Sequence, residues 1–497
     1  MTASEVKNVG SAAGGIAVRG LALREKLIFE HSGAGKCGIC PPEADVPPIL
    51  PPAELLRDEI DGFPEVSEVE VTRHFTRLSS WNYGVDSGIY PLGSCTMKYN
   101  PKAAEAATRI EGLANLHPQT PQELSQGALE LMYHLAQMLG EIAGFKAITL
   151  SPAAGAHGEL TGMMMVRAFH EHMGNVRRKV LIPDTAHGTN PASAALCGYE
   201  VVQLATEEDG HLSAETVKAA MDEQTAAIMI TNPNTLGLFE REIADICKVV
   251  HERGGLVYCD GANLNALLGI ARPGDMGVDV MHFNLHKTFA TPHGGGGPGS
   301  GPVGVSARLE PFLPVPRIIR TPDNRYALDD NAPESIGRVR AFYGNFAIMV
   351  RAYVYLRLLG AQGLKNVSEM AVLNANYIRA RLESSYVIAR KGRSLHEVVF
   401  SDEGFPDGCH TLDIAKRLID LGFHPPTVYF PLIVKGALMI EPTETESKES
   451  LDEFCDALLQ IAEEARKDPD LLHEAPQHTP VRRLDEVQAA RKPVLKA

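Results

Sequence analysis

The sequence predicts an α/β protein, with a mainly parallel sheet flanked by helices on both faces and a smaller α+β domain after it. Three observations predict this. Short apolar runs alternate with amphipathic segments from about residue 106 to 335, and strands at that spacing, each bracketed by helix, form βαβ units. The residues that could carry chemistry fall just beyond the ends of those runs, where open α/β sheets gather their ligands. Beyond residue 336, a long apolar-periodic stretch from Val339 to Leu359 reads as a helix leading into a separate α+β region.

The elements follow in order. Residues 146–150 read as a strand, then a Gly/Ala turn, then a helix from about His157 to His172. Further strands are expected at 179–182, 199–204 and 226–231. A helix over about 242–253 leads through Gly254 and Gly255 into a strand at 256–259, with another at 278–283. The last helix sets Leu451, Phe454, Leu458 and Ile461 on one face, with a capping box expected at Thr443 and Glu446. The tail after about Glu474 reads as a surface strap.

A chain of 497 residues exceeds one ordinary core. It divides into an N-terminal arm (1–105), a large α/β domain (106–335) and a small C-terminal domain with its tail (336–497). Proline lacks the backbone donor and fixes φ, so the Pro-rich segment from Pro41 to Pro52 reads as an extended arm crossing another surface. The first twenty residues hold no apolar run of the kind a secretory signal needs and read as a loose tail.

The formal net charge is −15, from 47 basic and 62 acidic residues. That balance repels phosphate backbones and anionic lipid, so neither nucleic acid nor membrane is an expected partner. Eight cysteines in a chain this long are no disulfide framework. Cys37 and Cys40 have CxxC spacing, but without a second such pair or an HxxxH, chance is the favoured reading.

The chemistry centres on Asp260, at the end of one predicted strand, and Lys287, 27 residues later beyond the next strand. After Lys287 comes a run from His293 to Gly301 with six glycines, whose ordering is entropically costly. It suits backbone passing close to a ligand, or equally a flexible loop beside a solvated lysine. Asp260 adds a carboxylate in a buried setting, where an unpaired charge is unfavourable. Pyridoxal phosphate (PLP) chemistry uses this pair of groups: a lysine for the aldehyde and a carboxylate for the pyridine nitrogen. A helix-capping Asp is the plain alternative. The turn 151–159 exposes backbone N–H groups at a helix start, which suits a phosphate, with His157 placed to lie against a ring. Asn234 follows another strand, where its amide could bond the ring's phenolic oxygen. Each piece is ambiguous alone. Their order along one parallel sheet is that of the aspartate-aminotransferase-like (fold type I) PLP-dependent transferases.

Five strings resemble the P-protein of the glycine cleavage system: YPLGSCTMKYNPK (90–102), SPAAGAHGE (151–159), DTAHGTNPAS (184–193), YCDGANLNA (258–266) and HFNLHKTFATPHGGGGPGSGPVGV (282–305). The chain resembles the C-terminal half of the long P-proteins, the half that as a separate polypeptide is called subunit 2. The resemblance implies that Lys287 bonds the cofactor, Asp260 pairs with its pyridinium, and His157 stacks on the ring. It also implies that Ala154 and Gly155 give N–H groups to the phosphate, with Asn284 and His286 as further phosphate contacts. Asn234 or Asn263 would bond the phenolic oxygen. The implied reaction is decarboxylation of glycine and transfer of the aminomethyl group to the lipoyl arm of H-protein. The implied assembly is α2β2 with a homologous subunit 1 that lacks the PLP lysine, in the cytoplasm.

Aminotransferases clamp the substrate carboxylate with an arginine from the C-terminal domain, whereas the comparable segment here, residues 435–442, has none. A carboxylate that leaves as CO2 gains nothing from tight ionic binding in the ground state; a Lys435→Met variant should therefore keep its affinity for glycine. Tyr83, Ser94, Cys95, Thr96 and Lys98 are expected near the active-site entrance, with Cys95 not acting as a nucleophile. The rival readings are another PLP reaction on the same fold, such as transamination or cysteine desulfuration, and a non-catalytic scaffold. Intact Lys287 and Asp260 speak against the scaffold.

Overall fold

The computed structural model describes residues 25–57, 60–294, 299–406, 408–479 and 481–495. The expected N-terminal tail lies outside these residues, as does the centre of the glycine-rich run. The chain separates into two units, one from residues 1–84 with 478–497 and one from residues 85–477. Within the first, helix Glu68–Ser79 is capped reciprocally by Ser67 and Glu70. Glu25 is gathered there by His31, His74 and Arg77. Ile49 and Leu50 in the Pro-rich arm are exposed. Cys37 and Cys40 bring their sulfurs to 3.4 Å on the surface, and among the described residues neither joins a metal-ligating cluster.

The second unit is built on a seven-stranded sheet: β1 (Ala147–Thr149), β2 (Lys179–Pro183), β3 (Glu200–Leu204), β4 (Thr225–Thr231), β5 (Leu256–Gly261), β6 (Val280–Phe283) and β7 (Val303–Val305). Their spatial order is β1-β7-β6-β5-β4-β2-β3. Strands β2 to β6 run parallel, while β7 is antiparallel to both neighbours. The period-2 alternation of a strand sorts its side chains to two cores. Ile228, Ile230, Val257 and Cys259 join one, whereas Ala227, Met229, Leu256 and Tyr258 join the other. Burial on both faces explains why these strands read as continuous apolar runs. The antiparallel β7 follows directly on the glycine-rich run and was absent from the strands predicted from sequence.

A hairpin, β8 (Arg317–Arg320) with β9 (Tyr326–Asp329), precedes a helix at Phe346–Leu382 that is interrupted by a non-helical Gly360. This helix begins seven residues after the Val339 start predicted from sequence, because residues 337–345 take irregular backbone. A second sheet then forms from β10 (Val387–Ile388), β11 (Val398–Ser401), β12 (Thr427–Val428) and β13 (Ala437–Ile440), in the order β10-β11-β13-β12. Helix Lys448–Lys467 covers it through Leu451, Phe454, Leu458 and Ile461, the face its periodicity predicts. Its cap is Ser447, whose hydroxyl accepts the Ser450 N–H. The expected Thr443/Glu446 box does not form, since Thr443 lies upstream at φ 61°. Among the described residues no helix is long and apolar enough to cross a membrane.

Candidate active site

The carboxyl ends of β4, β5 and β6 meet the start of helix Gly155–His172 around a cavity of about 260 Å³. It is lined by Asp260, Asn263, Lys287 and Thr231 on the strand side, and by Ala154, Gly155, Asn284 and His286 on the helix side. Of the nine residues predicted from sequence, seven line this cavity. His157 and Asn234 do not.

The helix start is shaped for an anion. Ala154 is the N-cap, in extended backbone and without a side chain to satisfy the first turn, so the first N–H groups are left for a ligand. The turn tolerates no bulk. A Cβ on Gly155 would sit 2.4 Å from Asn284 Oδ1, and one on Gly301 would sit 2.0 Å from the Ala154 carbonyl.

Asp260 lies at the cavity floor, 2% exposed. Burial alone would raise its carboxyl, but His282, the Ala262 N–H and Lys287 together outweigh burial and hold it below the usual range. The Ala262 N–H donates to Oδ1 at 2.9 Å, and His282 Nε2 stands 3.5 Å from that oxygen. His282 is placed in turn by the Tyr258 hydroxyl at 2.5 Å and by Asn284 at 2.6 Å. Sequence reasoning assigned none of this support to Asp260.

Glu159 completes the buried network. It sits one turn into the helix, takes a hydrogen bond from Thr189 at 2.8 Å, and is pushed up to about 8 by burial and then by Asp260. Burial and the Asp260 charge thus favour the protonated form of Glu159, while the partners of Asp260 favour its ionised form. The Asn190 amide, turned with its nitrogen toward the pair, donates to Glu159 at 3.0 Å and to Asp260 at 3.2 Å.

Two of the predicted residues lie off this lining. His157 is not among the lining residues, and its Nδ1 accepts the Ala153 N–H at 3.1 Å, closing its own turn. Besides His282 and His286, the cavity is lined by His187, beyond β2, held below its usual range by burial. Its signal was present in the DTAHGTNPAS string. Asn234 is 0% exposed, and its amide is used up. The nitrogen donates to the Gly210 carbonyl and Glu240, and the oxygen accepts from Leu236 and Leu238. Asn263 lines the cavity instead, oriented by a 2.9 Å bond to the Pro233 carbonyl.

The loop before residue 100 reaches the site. Lys287 Nζ donates to the Ser94 carbonyl at 3.0 Å, and Ser94 lines the cavity. Lys98 is buried against Asn265, the Thr288 carbonyl and Glu444, so its charge ties elements together and does not face substrate. Burial pushes the Cys95 thiol up, which suits a non-nucleophile.

The donor set fits PLP: an amine, an ionised buried carboxylate, a helix N-terminus crowded by glycine, and the Thr231 hydroxyl, buried without a protein partner. Residues 47–326 match the family described as glycine cleavage system P-protein, and residues 367–477 match glycine dehydrogenase, C-terminal domain. A curated relative from Caldanaerobacter subterraneus, named probable glycine dehydrogenase (decarboxylating) subunit 2, is 56% identical over 476 residues, covering 95% of this chain and 98% of the relative. Its namesake from Desulforamulus reducens is 57% identical over 480 residues, covering 95% and 99%. A crystal structure of glycine decarboxylase (P-protein) of the glycine cleavage system, in inhibitor-bound form, aligns with TM-score 0.69 at 21% identity, over 82% of this chain and 93% of that one. An aspartate aminotransferase from Thermus thermophilus aligns at 0.54 with 16% identity, over 75% of this chain and 99% of that one. The structural neighbours establish the fold type I architecture, and with the sequence matches over nearly its whole length the chain belongs to the glycine cleavage system P-protein family.

Proposed function

We propose that this chain is the PLP-bearing subunit of a cytoplasmic glycine decarboxylase. It would release CO2 from glycine and pass the aminomethyl group to the lipoyl arm of H-protein, in an α2β2 assembly with a homologous subunit 1 lacking the lysine. The observation that supports this reading best is the convergence of Lys287, Asp260 and the Gly155 helix start on one cavity. The relatives' names, which number them as second subunits, support the partner. So do the exposed apolar side chains of the Pro-rich arm.

Lys287 would hold the cofactor through Nζ, Asp260 would hold the proton on its ring nitrogen, and the N–H groups after Ala154 would bind its phosphate. PLP supplies an electrophilic aldehyde and a ring that accepts the electrons left at a substrate α-carbon. His187 would face the ring and Asn263 the phenolic oxygen. Asn190 would donate to both Asp260 and Glu159, and a protonated Glu159 would add no second anion beside Asp260. As a free amine, Lys287 is held by the Ser94 carbonyl, which would also receive it whenever it is not bonded to the cofactor.

The test is borohydride reduction of the purified chain with excess PLP, followed by peptide mapping. A phosphopyridoxyl adduct on Lys287 supports the reading and moves the question to glycine–CO2 exchange with partner subunit and lipoyl protein. An unmodified Lys287 overturns it in favour of a scaffold.

A further inference from the structure

The second sheet carries an arrangement that the cavity beside Lys287 does not use. Strands β11 and β13 pair with Val398 opposite Ile440, so one step further along the register Glu397 stands opposite Glu441. Like charges facing each other across strands repel, and these two are 0% and 1% exposed. Each carboxylate has one oxygen satisfied by the loop before residue 100. Glu397 Oε2 accepts the Ser94 N–H at 2.8 Å, and Glu441 Oε1 accepts the Thr96 hydroxyl at 2.5 Å.

The remaining atoms are orphaned. Glu397 Oε1, Glu441 Oε2 and both ring nitrogens of His396, itself 0% exposed, have no protein partner. Leaving buried polar groups unpaired is costly, and leaving buried charges unpaired far more so. The three side chains offer ligand atoms within 4.8 Å of one another, with His396 Nε2 3.8 Å from Glu397 Oε1. That spacing is too wide for direct hydrogen bonds. An atom at the centre of a triangle with such sides lies about 2.2–2.8 Å from each corner, a range that overlaps cation–ligand distances of roughly 2.0–2.6 Å.

We propose that His396, Glu397 and Glu441 form a binding site for one divalent transition-metal cation of the zinc or manganese class. Two carboxylates balance its charge, and the imidazole favours such a metal over magnesium or calcium. The cation would relieve the cross-strand repulsion and clamp the Ser94–Thr96 loop to the second sheet. Because the same Ser94 meets Lys287 through its carbonyl, the site would steady the lysine from behind without touching substrate. This goes beyond the decarboxylase reading and needs no cofactor to be tested.

The purified full-length chain is stripped with chelator, dialysed against Zn²⁺ or Mn²⁺, desalted and assayed for metal content and thermal unfolding. One retained equivalent per chain, with a Tm rise that saturates at that equivalent, is expected. Glu441→Gln and His396→Asn should lose both, with circular dichroism unchanged. Cys37→Ser/Cys40→Ser should keep both, which separates this site from the surface CxxC. Should either variant fail to fold, Co²⁺ added to the wild-type chain gives d–d absorption with a nitrogen ligand only if the site binds. Absence of retained metal and of a cobalt spectrum, or undiminished metal in both variants, would overturn the proposal. Borohydride trapping at Lys287 is read separately, so failure of one inference does not carry the other with it.

Discussion

Lys287 and Ser94 are joined by one hydrogen bond, Nζ to the Ser94 carbonyl at 3.0 Å, and Ser94 presents that carbonyl from a left-handed backbone at φ 64°. A non-glycine residue there is strained by ~1–3 kcal/mol and persists only where its surroundings enforce it. The Glu397 carboxylate does so by taking the Ser94 N–H. Ser94→Gly should keep stability within about 1 kcal/mol of the parent or raise it. Ser94→Val should lower stability by ~1–3 kcal/mol and reduce glycine–CO2 exchange. Chemical denaturation beside the exchange assay checks both.

His187 and His157 make opposite predictions. His187 lines the cavity, whereas His157 is occupied with the Ala153 N–H. His187→Ala should weaken PLP retention roughly tenfold or more, the scale of a lost aromatic contact of ~0.5–1.5 kcal/mol plus its buried area. His157→Gln should change it little. Absorbance titration with PLP reads the difference, and equal losses in the two variants would return the ring-facing role to dispute.

The Glu159–Asp260 pair should divide sharply under amide substitution. Burial and Asp260 favour the protonated form of Glu159, so Glu159→Gln preserves charge and shape, and exchange activity should stay within a few-fold. Asp260→Asn removes the one ionised carboxylate on the cavity floor and should cost on the order of 10²–10⁴-fold. A collapse of Glu159→Gln matching that of Asp260→Asn would mean that Glu159 acts as an anion.

Two buried histidines should each contribute an acid destabilisation of the cofactor-free chain, opposed by carboxyls that burial raises, such as Glu159. Burial, then the neighbouring charges, lower His286 to about 3 and His293 to about 4. Depressed folded values mean that the unfolded chain binds the extra protons. The stabilisation is therefore complete above the unfolded value near 6.5 and is lost as pH falls from there toward 4 and then 3. The loss should approach ~1 kcal/mol per pH unit per histidine. Urea midpoints at pH 7.5 and 5.5, compared between the parent and His293→Gln, test this: the variant should lose less stability, or gain more, on going to pH 5.5 than the parent does.

Much of the architecture was legible in the sequence because it rests on local pattern. Continuous apolar runs such as Ala226–Thr231 announce strands buried on both faces, and the spacing of Leu451, Phe454, Leu458 and Ile461 announces a helix face. Asp260 and Lys287 could be placed because a residue at or just beyond a strand end inherits its position from that strand. The antiparallel β7 carried no such signal. It is three residues long and takes its direction from the neighbours it pairs with.

What the sequence by itself determined, then, is the order of strands and helices and the cluster of residues at their carboxyl ends. Tertiary structure decided which side chain of each cluster turns inward: His187 over His157, Asn263 over Asn234. It also decided that Glu159 joins Asp260, and that Glu397 meets Glu441 across a register no local pattern records. The physical reason is the same throughout. Periodicity places a backbone segment, whereas the direction of a side chain in a turn and the partner of a buried charge depend on segments far away in sequence.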